Sequence, residues 1–408
     1  MDDENNKVII IESIINSEIF LNYLKKLIID ILHENNISFS SIKKDGHYYI
    51  VKLKKNSAIV FTMDILSKVS GISCIFIAKS LEIDYDILSK AVVQIGKKIL
   101  LADEKFSITI TTSKEHIFKK NEYLFFKKDL EFLIMSELSS LSSGIKYVRN
   151  ESEADKILYV LIGTEVAYVS LSLKKGREYM PFNFLNEKVI CPIYSEYSFL
   201  SLISILNSGF FPIPFIFYSD KKQLIKILKS FEKIIKRYPI QTIDVNLINF
   251  NDFNLNISRL YLKNDTNFDI DKKTMMVKLI QDEIIVMMLL QLKIDATFLS
   301  LPLLPFLHPL WFFKKNLLLS FESGKIPLTP FLFNYEFKNN LKDFYNFNNS
   351  AIDEQSLDSN VSFLDITQEN FDPVYQKIVN LIKISSKEIA KFKLDMGKDD
   401  VLDILDSI

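Results

Sequence analysis

Glycine is scarce: the 408-residue chain holds 9. Enzymes built on Gly-rich phosphate loops need backbone amides that approach an anion without Cβ atoms in the way. So few glycines argue against that class. Cysteine is rarer still. The 2 cysteines, Cys74 and Cys191, lie far apart in apolar runs. They fit neither a disulfide scaffold nor a thiolate metal site, and read as buried thiols in a reducing cytoplasm. The 4 histidines, His33, His47, His116 and His308, have no metal-ligand spacing to each other or to a cysteine. Each reads as a solvated or helix-end residue. No sign of charge prevails: Lys+Arg 50 against Asp+Glu 51 leaves a net charge of -1, so only a local patch could steer the chain to nucleic acid. The first residues, MDDENNK, lack the basic and apolar regions of a secretory signal. What is present is apolar: 48% of residues are hydrophobic, ample for two or three domain cores.

The uncharged run Ser198–Tyr218 is about as long as a bilayer span, but Asn207, Gly209, Pro212 and Pro214 interrupt it and no tight basic cluster flanks it. Two buried elements joined by a turn explain it better, and no membrane association is expected. In its wider context, Lys188–Ile193 is a short apolar strand and Tyr194-Ser195-Glu196-Tyr197-Ser198 a polar elbow. Phe199–Leu206 has helical spacing, Gly209 stops it, and Phe210–Tyr218 is a second buried strand. This is the sequence form of a βαβ unit on a parallel sheet. The elbow stands where nucleotide-binding α/β proteins carry phosphate-binding glycines, and it has none. A catalytic reading of Ser195, Glu196 and Ser198 lacks an adjacent base and an oxyanion site; a cap role is the plainer one.

Upstream, Ser17 can cap a helix with apolar positions from Ile19 to Ile31, and Ile37–Ile42 and Tyr48–Leu53 form a hairpin about Asp45-Gly46. Ala58–Phe61 reads as a strand and Asp64–Val69 as a short helix. Beyond Gly71, Ile72–Ile77 is a strand and Asp84 caps a helix through Leu100. Phe106–Thr111 is a strand, Lys127–Leu141 a helix, and Ile157–Ile162 with Val166–Leu173 a hairpin. Further on, Lys272–Leu292 is a long helix and Ala296–Leu301 a strand. Residues 338–372, rich in Asn, Asp, Ser and Phe, read as a linker. Asp372-Pro373 opens a helix to about Lys393, and Asp399–Ile408 alternates acidic and apolar groups, as a short amphipathic helix docked on its own body or on a partner.

Several of these segments resemble the tRNA 4-thiouridine synthetases, the thiamine-biosynthesis sulfurtransferase family. Ile65-Leu66-Ser67-Lys68-Val69-Ser70-Gly71-Ile72-Ser73 is similar to that family's junction "L..VfGI.s", and Phe106–Ile110 to the first strand of its THUMP domain. Tyr147-Val148-Arg149-Asn150 through Ala154-Asp155, then Ile157–Val169, resembles "vdL.nPD..i.veir...ayvy". Lys175-Gly176-Arg177 falls at the family's link to its PP-loop domain. The resemblance implies an α/β and α+β multidomain chain: a ferredoxin-like domain over 1–70, a THUMP-like domain over 71–180 and a PP-loop-like parallel-sheet domain over 187–337. The linker 338–372 and a helical tail over 373–408 would come after them.

The third domain departs from the family's chemistry. Where the family has S-G-G-x-D-S, only Ser198 matches; a T-G-E-S-like segment is replaced by Ser300-Leu301-Pro302-Leu303-Leu304-Pro305. Thr329 stands for the arginine of "lPvlRPL", and the chain has no cysteine after Cys191. The expectation is therefore a degenerate PP-loop, no cofactor, and a non-catalytic protein binding tRNA or a protein partner. Two other readings stay open: an active ATP-dependent sulfurtransferase with a remodelled site, and a structural subunit using an apolar surface such as 296–313. For RNA the candidate residues are Lys114, Lys119, Lys120, Lys127, Lys128, Lys146 and Arg149, because THUMP domains contact the acceptor end of tRNA. Glu115, Glu122 and Asp129 interleave them, so a solvated charged face is the competing reading. Phe118, Tyr123, Phe125 and Phe126 could stack on bases or fill a core.

Overall fold

The computed structural model describes residues 7–54, 58–113, 120–141, 144–250, 270–292, 294–303, 308–329, 366–379, 389–396 and 404. They fall into two units, Met1–Tyr179 and Met180–Ile408.

The first unit is one eight-stranded sheet. Its strands are β1 (Lys7–Ser13), β2 (Phe39–Asp45), β3 (Tyr48–Leu53), β4 (Ile72–Leu81), β5 (Lys105–Thr112), β6 (Lys146–Tyr147), β7 (Lys156–Ile162) and β8 (Ala167–Lys175). They lie in the order β2-β3-β1-β4-β8-β7-β5-β6. Pairing is antiparallel except where β5 runs parallel to β6 and β7. Val8–Ile11 is an unbroken apolar run because β1 is central and buried on both faces. Helix α1 (Glu18–Glu34) is capped as its sequence predicts, Ser17 Oγ accepting from Phe20 N at 3.2 Å, and α3 (Tyr85–Ile99) likewise, Asp84 accepting from Ile87 N at 2.9 Å. α4 (Lys120–Leu141) packs with α3 over β5, β7 and β8 through Val92, Leu130, Ile134, Ile108 and Val160.

On the other cluster of this sheet, Ile10, Tyr48 and Phe76 meet Leu161 and Tyr168. The sheet curls until the β2–β3 turn touches the far strands: Asp45 accepts from Thr164 N at 2.8 Å and from the Ser113 hydroxyl. Gly46 sits at φ 62°, and a Cβ there would lie 2.0 Å from Ser113 O. Residue 70, the expected division between two domains, falls just before β4, which pairs with β1 on one side and β8 on the other.

One expectation is overturned here. Ala58–Phe61 is not a strand; a single helix α2 (Ile59–Leu66) covers it. Ile59, Thr62 and Leu66 are buried while Val60 and Phe61 are exposed, a helical pattern that a four-residue window cannot show.

The second unit is α/β, as expected. Strands β9 (Lys188–Ile193), β10 (Phe211–Tyr218), β11 (Thr242–Asn249), β12 (Phe298–Ser300), β13 (Ile326–Leu328) and β14 (Ile389–Asp395) lie in the order β13-β12-β9-β10-β11-β14. All pairs are parallel except the edge pair of β11 with β14. Helices α5 (Glu196–Asn207) and α6 (Lys221–Ile235) cover one face with Val189, Cys191, Ile193 and Val245. Helices α7 (Ile270–Gln291), α8 (Leu310–Glu322) and α9 (Gln368–Val379) cover the other with Ile190, Phe215 and Phe217. Period-2 burial to opposite faces makes these strands read as continuous apolar runs.

Pro212 and Pro214 stand inside β10, a central strand, where a missing N–H is normally not tolerated. Pairing of β10 with β11 begins only at Phe215, and the Pro214 carbonyl takes its hydrogen bond from the Asn246 side chain at 3.2 Å. The run Ser198–Tyr218 is thus a helix and a strand. Among the described residues no helix is long and apolar enough to cross a membrane.

The expected helix from Asp372 to Lys393 is also overturned. α9 starts at Gln368 with Pro373 inside it, and Ile389–Asp395 is the edge strand β14. Its alternation puts Leu394 and Phe392 on the core while Lys391 stays out, and pairing to β11 decides the conformation over local propensity. The tail Asp399–Ile408 lies outside the described residues apart from Ile404, which is 3% exposed in the α5–α6 cluster.

Candidate functional site at the switch point of the parallel sheet

The chain enters the second sheet at β9, moves through β10 to β11, then returns to the other side of β9 as β12. Strand order therefore reverses between β9 and β12. In open α/β sheets the ligand crevice lies at this point, outside the carboxyl ends of the strands. The residues there are the elbow after β9 and Ser300-Leu301 after β12.

The elbow is closed by its own side chains. Ser198 Oγ accepts from Tyr194 N at 3.1 Å and from Ser195 N at 2.8 Å, and donates to Ser195 O at 2.8 Å. A hydroxyl has two acceptor lone pairs and one proton, so these three bonds saturate it. The amides that would face a phosphate are turned onto Ser198 instead. One turn further along α5, Ser201 bonds Ser300 hydroxyl to hydroxyl, and both are buried. Ser195 is the N-cap, so the cap reading of these serines stands. Of the side chains of Glu196 and Tyr197 nothing is described. Thr329 is buried, and its Oγ1 has no hydrogen-bond partner among the described residues.

Beside the elbow lies a polar constellation that sequence reasoning missed. The Tyr194 phenol bonds the Asp282 carboxylate, and burial together with that carboxylate raises its pKa well above the ordinary phenol value. Asp282 Oδ2 lies 3.0 Å from His308 Nε2, and His308 stacks on Phe312 with ring centroids 5.8 Å apart. His308 is thus not solvated; its side chain is 9% exposed. The next residue, Glu283, is wholly buried, with Lys315 Nζ 3.1 Å from Oε1 and Asn316 Nδ2 donating to Oε2 at 2.9 Å. Burial pushes the Glu283 carboxyl up, and Lys315 and Asn316 only partly offset it. Lys315 also reaches Asp372 at 3.5 Å and lies over the Phe371 ring. A visible signal existed: Asp282-Glu283 is an acidic pair between apolar turns of one helix.

The first unit has its own polar cluster. Glu12 Oε2 takes a bond from Cys74 Sγ at 2.9 Å; Oε1 takes one from the Tyr48 phenol at 3.3 Å and lies 3.5 Å from His47 Nε2. Burial would raise the Glu12 carboxyl, but the bonds from His47 and Cys74 outweigh it and leave the pKa lowered. Burial and that carboxylate drive the Cys74 thiol up, so it is a protonated donor rather than a nucleophile. Cys191 is buried and likewise raised. Among the described residues no group of His, Cys, Asp and Glu is arranged to hold a metal.

Of the RNA-binding candidates, Lys114 and Lys119 lie outside the described residues, and Lys120 opens α4. Lys127 is half-buried; Lys128, Lys146 and Arg149 are exposed. The Tyr147 phenol, its pKa pushed up to about 12 by burial and by Glu131, bonds Glu131 and draws β6 to α4. Lys127 stands one turn before Glu131 on α4, and Lys146 precedes Tyr147 in β6. Acids share the ground: Glu151 bonds Thr109, and Asp155 accepts from Lys105 N at 2.8 Å. Phe126 packs against the α3–α4 cluster, a core role.

No family model and no curated protein matches this chain. Solved structures do. PH1313 from Pyrococcus horikoshii is 15% identical, with 91% of this chain and 99% of that one covered, at a TM-score of 0.43. A 4-thiouridine synthetase in complex with RNA and ATP is 12% identical, with 95% and 99% covered, at 0.46. TrmN from Thermus thermophilus is 10% identical, with 54% and 68% covered, at 0.30. At these levels function has to be argued from the chain's own residues.

Proposed function

We propose that this chain is a non-catalytic RNA-binding protein of the tRNA-sulfurtransferase type, contacting the acceptor end of tRNA through its THUMP-like part. In this reading residues 1–70 are the ferredoxin-like domain, 71–180 the THUMP-like domain and 187–337 a degenerate PP-loop domain. The observation that carries the non-catalytic half is the Ser198 hydroxyl, which takes both elbow amides for itself. Pyrophosphate bound there would have to displace it and meet the Cβ atoms of Tyr194 and Ser195. The RNA half is supported by the resemblance over Ile65–Ser73 and Tyr147–Val169, and by the exposure of Lys128 on α4 and of Lys146 and Arg149 in and after β6.

Two titrations test it. Calorimetry with ATP and magnesium should give no heat of binding; micromolar affinity abolished by Ser198→Ala would overturn the non-catalytic reading. Fluorescence-anisotropy titration of tRNA should show affinity that falls with salt, by a slope of roughly 0.7 to 0.9 per neutralised phosphate. Lys119→Ala with Lys120→Ala should weaken binding to all tRNAs alike, because phosphates carry no sequence information. Absent binding at low salt would leave the protein-partner reading in its place.

A further inference from the structure

Helix α8, in the second unit, carries its polarity the wrong way round for a surface helix. Phe312, Asn316 and Ser320 stand on its buried side, and two of these three are polar. The Ser320 hydroxyl donates to Asn316 O at 2.8 Å. The outer side is apolar: Leu310 is 67% exposed, Leu318 60% and Phe321 57%, with Leu317 half-buried beside them. At about 100° per residue, Leu310, Lys314, Leu317, Leu318 and Phe321 fall within about 100° of one another, and at 1.5 Å per residue the stripe is roughly 16 Å long. An ordinary surface helix shows the reverse pattern. The apolar surface continues past the helix. Lys325 N bonds Ser320 O at 2.9 Å and brings Ile326, 41% exposed, up to the last turn. Two charges stand on this face, Lys314 and Glu322, both exposed. They flank Leu318 one turn before and one turn after it, about 40° to either side. Neither side chain has an ion pair among the described residues.

We infer that the outer face of α8 is the seam of a homodimer, covered by the same face of a second copy running antiparallel to it. The inference goes beyond the RNA-binding reading and does not depend on it. A two-fold pairing requires a face complementary to itself. Charge selects this one. In an antiparallel pairing centred on Leu318, the residue four places before it lies level with the residue four places after it on the other helix. Lys314 of each copy is then level with Glu322 of the other, and two pairs of opposite charge form. A parallel pairing would set Lys314 beside Lys314 and Glu322 beside Glu322, so charge rejects it. Leu317, Leu318 and Phe321 supply the apolar centre between the charged pairs. A bilayer fits less well, because a face with one lysine and one glutamate lacks the basic rim of an interfacial helix. A stripe roughly 16 Å long and one helix diameter wide covers less than the about 800 Å² per partner of a standard interface. The dimer should therefore be weak, with a dissociation constant on the order of 1 to 100 μM.

The test is sedimentation of the full chain at concentrations on either side of that constant. The unsubstituted chain should pass from monomer to dimer. Leu318→Glu should raise the dissociation constant more than about 10-fold, because it brings two carboxylates together at the two-fold axis. Its circular dichroism should match that of the parent, since Leu318 is exposed. Lys314→Glu and Glu322→Lys should each raise the constant roughly 3- to 10-fold at low salt. Mixing these two variants, or combining both changes in one chain, should restore the parent value, because every facing pair is again of opposite charge. An unsubstituted chain that stays monomeric throughout, or a dimer indifferent to Leu318→Glu, would overturn the inference. A mixture that fails to recover, while Leu318→Glu still dissociates the dimer, would overturn the antiparallel pairing. Binding of a monomeric parent to phosphatidylserine vesicles, lost in Leu318→Glu, would put a bilayer on this face instead.

Discussion

Glu12 and Glu283 are two sheltered carboxylates with opposite fates. Glu12 lies where the first sheet curls on itself and accepts from a thiol and a phenol beside His47; its pKa is lowered. Glu283 lies between helices of the second unit with a lysine 3.1 Å away, and its pKa is raised. The formal charge of the neighbour does not decide the direction. The difference is depth: Glu12 keeps its side chain 23% exposed, whereas Glu283 is at 0%. At full burial, desolvation outweighs one cation; at partial burial, several donors outweigh desolvation. Either cluster could be taken for an active site. Neither shows a nucleophile activated by a base, and both tie elements together.

The largest expected effect breaks the second cluster. Lys315→Met leaves Glu283 buried without its cation and releases Asp372 on α9, and should destabilise the second unit by about 3–5 kcal/mol. Urea unfolding of the full chain measures this. The pH dependence fixes the sign. Because the folded pKa of Glu283 is raised, its contribution is fully present below the ordinary carboxylate value and is lost as pH rises to the folded value. Removing Lys315 removes a lowering influence, so that loss should extend to higher pH in the variant. A variant as stable as the parent at neutral pH would show the ion pair to be dispensable.

Glu12 should behave in the opposite sense. Its folded pKa is lowered, so its contribution is present above the ordinary carboxylate value and is lost as pH falls through the folded value. Cys74→Ala removes one donor and should destabilise the first unit by about 1 kcal/mol at neutral pH, with less difference in acid. Unfolding midpoints at several pH values test this; a difference that grows in acid would contradict it.

Much of the scaffold was legible. Ser17 and Asp84 announced their helices because an N-cap is local chemistry, and strand, elbow and Gly209 announced the βαβ unit for the same reason. What was not legible depends on partners distant in sequence. Residues 389–395 become a strand only because β11 offers an edge. Ile59–Phe61 is helical because Thr62 and Leu66 complete a buried face with Ile59. His308 finds Asp282 across 26 residues, and Cys74 finds Glu12 across 62, with no spacing rule to signal either pair. At the candidate site the absence of glycine is visible in the sequence, while the hydroxyl that takes up the elbow amides is set by the fold.

Ser198→Ala probes the elbow beside the second cluster. It frees the amides of Tyr194 and Ser195 and should lower stability by about 1 kcal/mol, as loss of a helix-start hydroxyl does. It should not create ATP binding, since the side chains of the elbow remain. Heat of ATP binding in this variant would show that the hydroxyl alone had kept a nucleotide out.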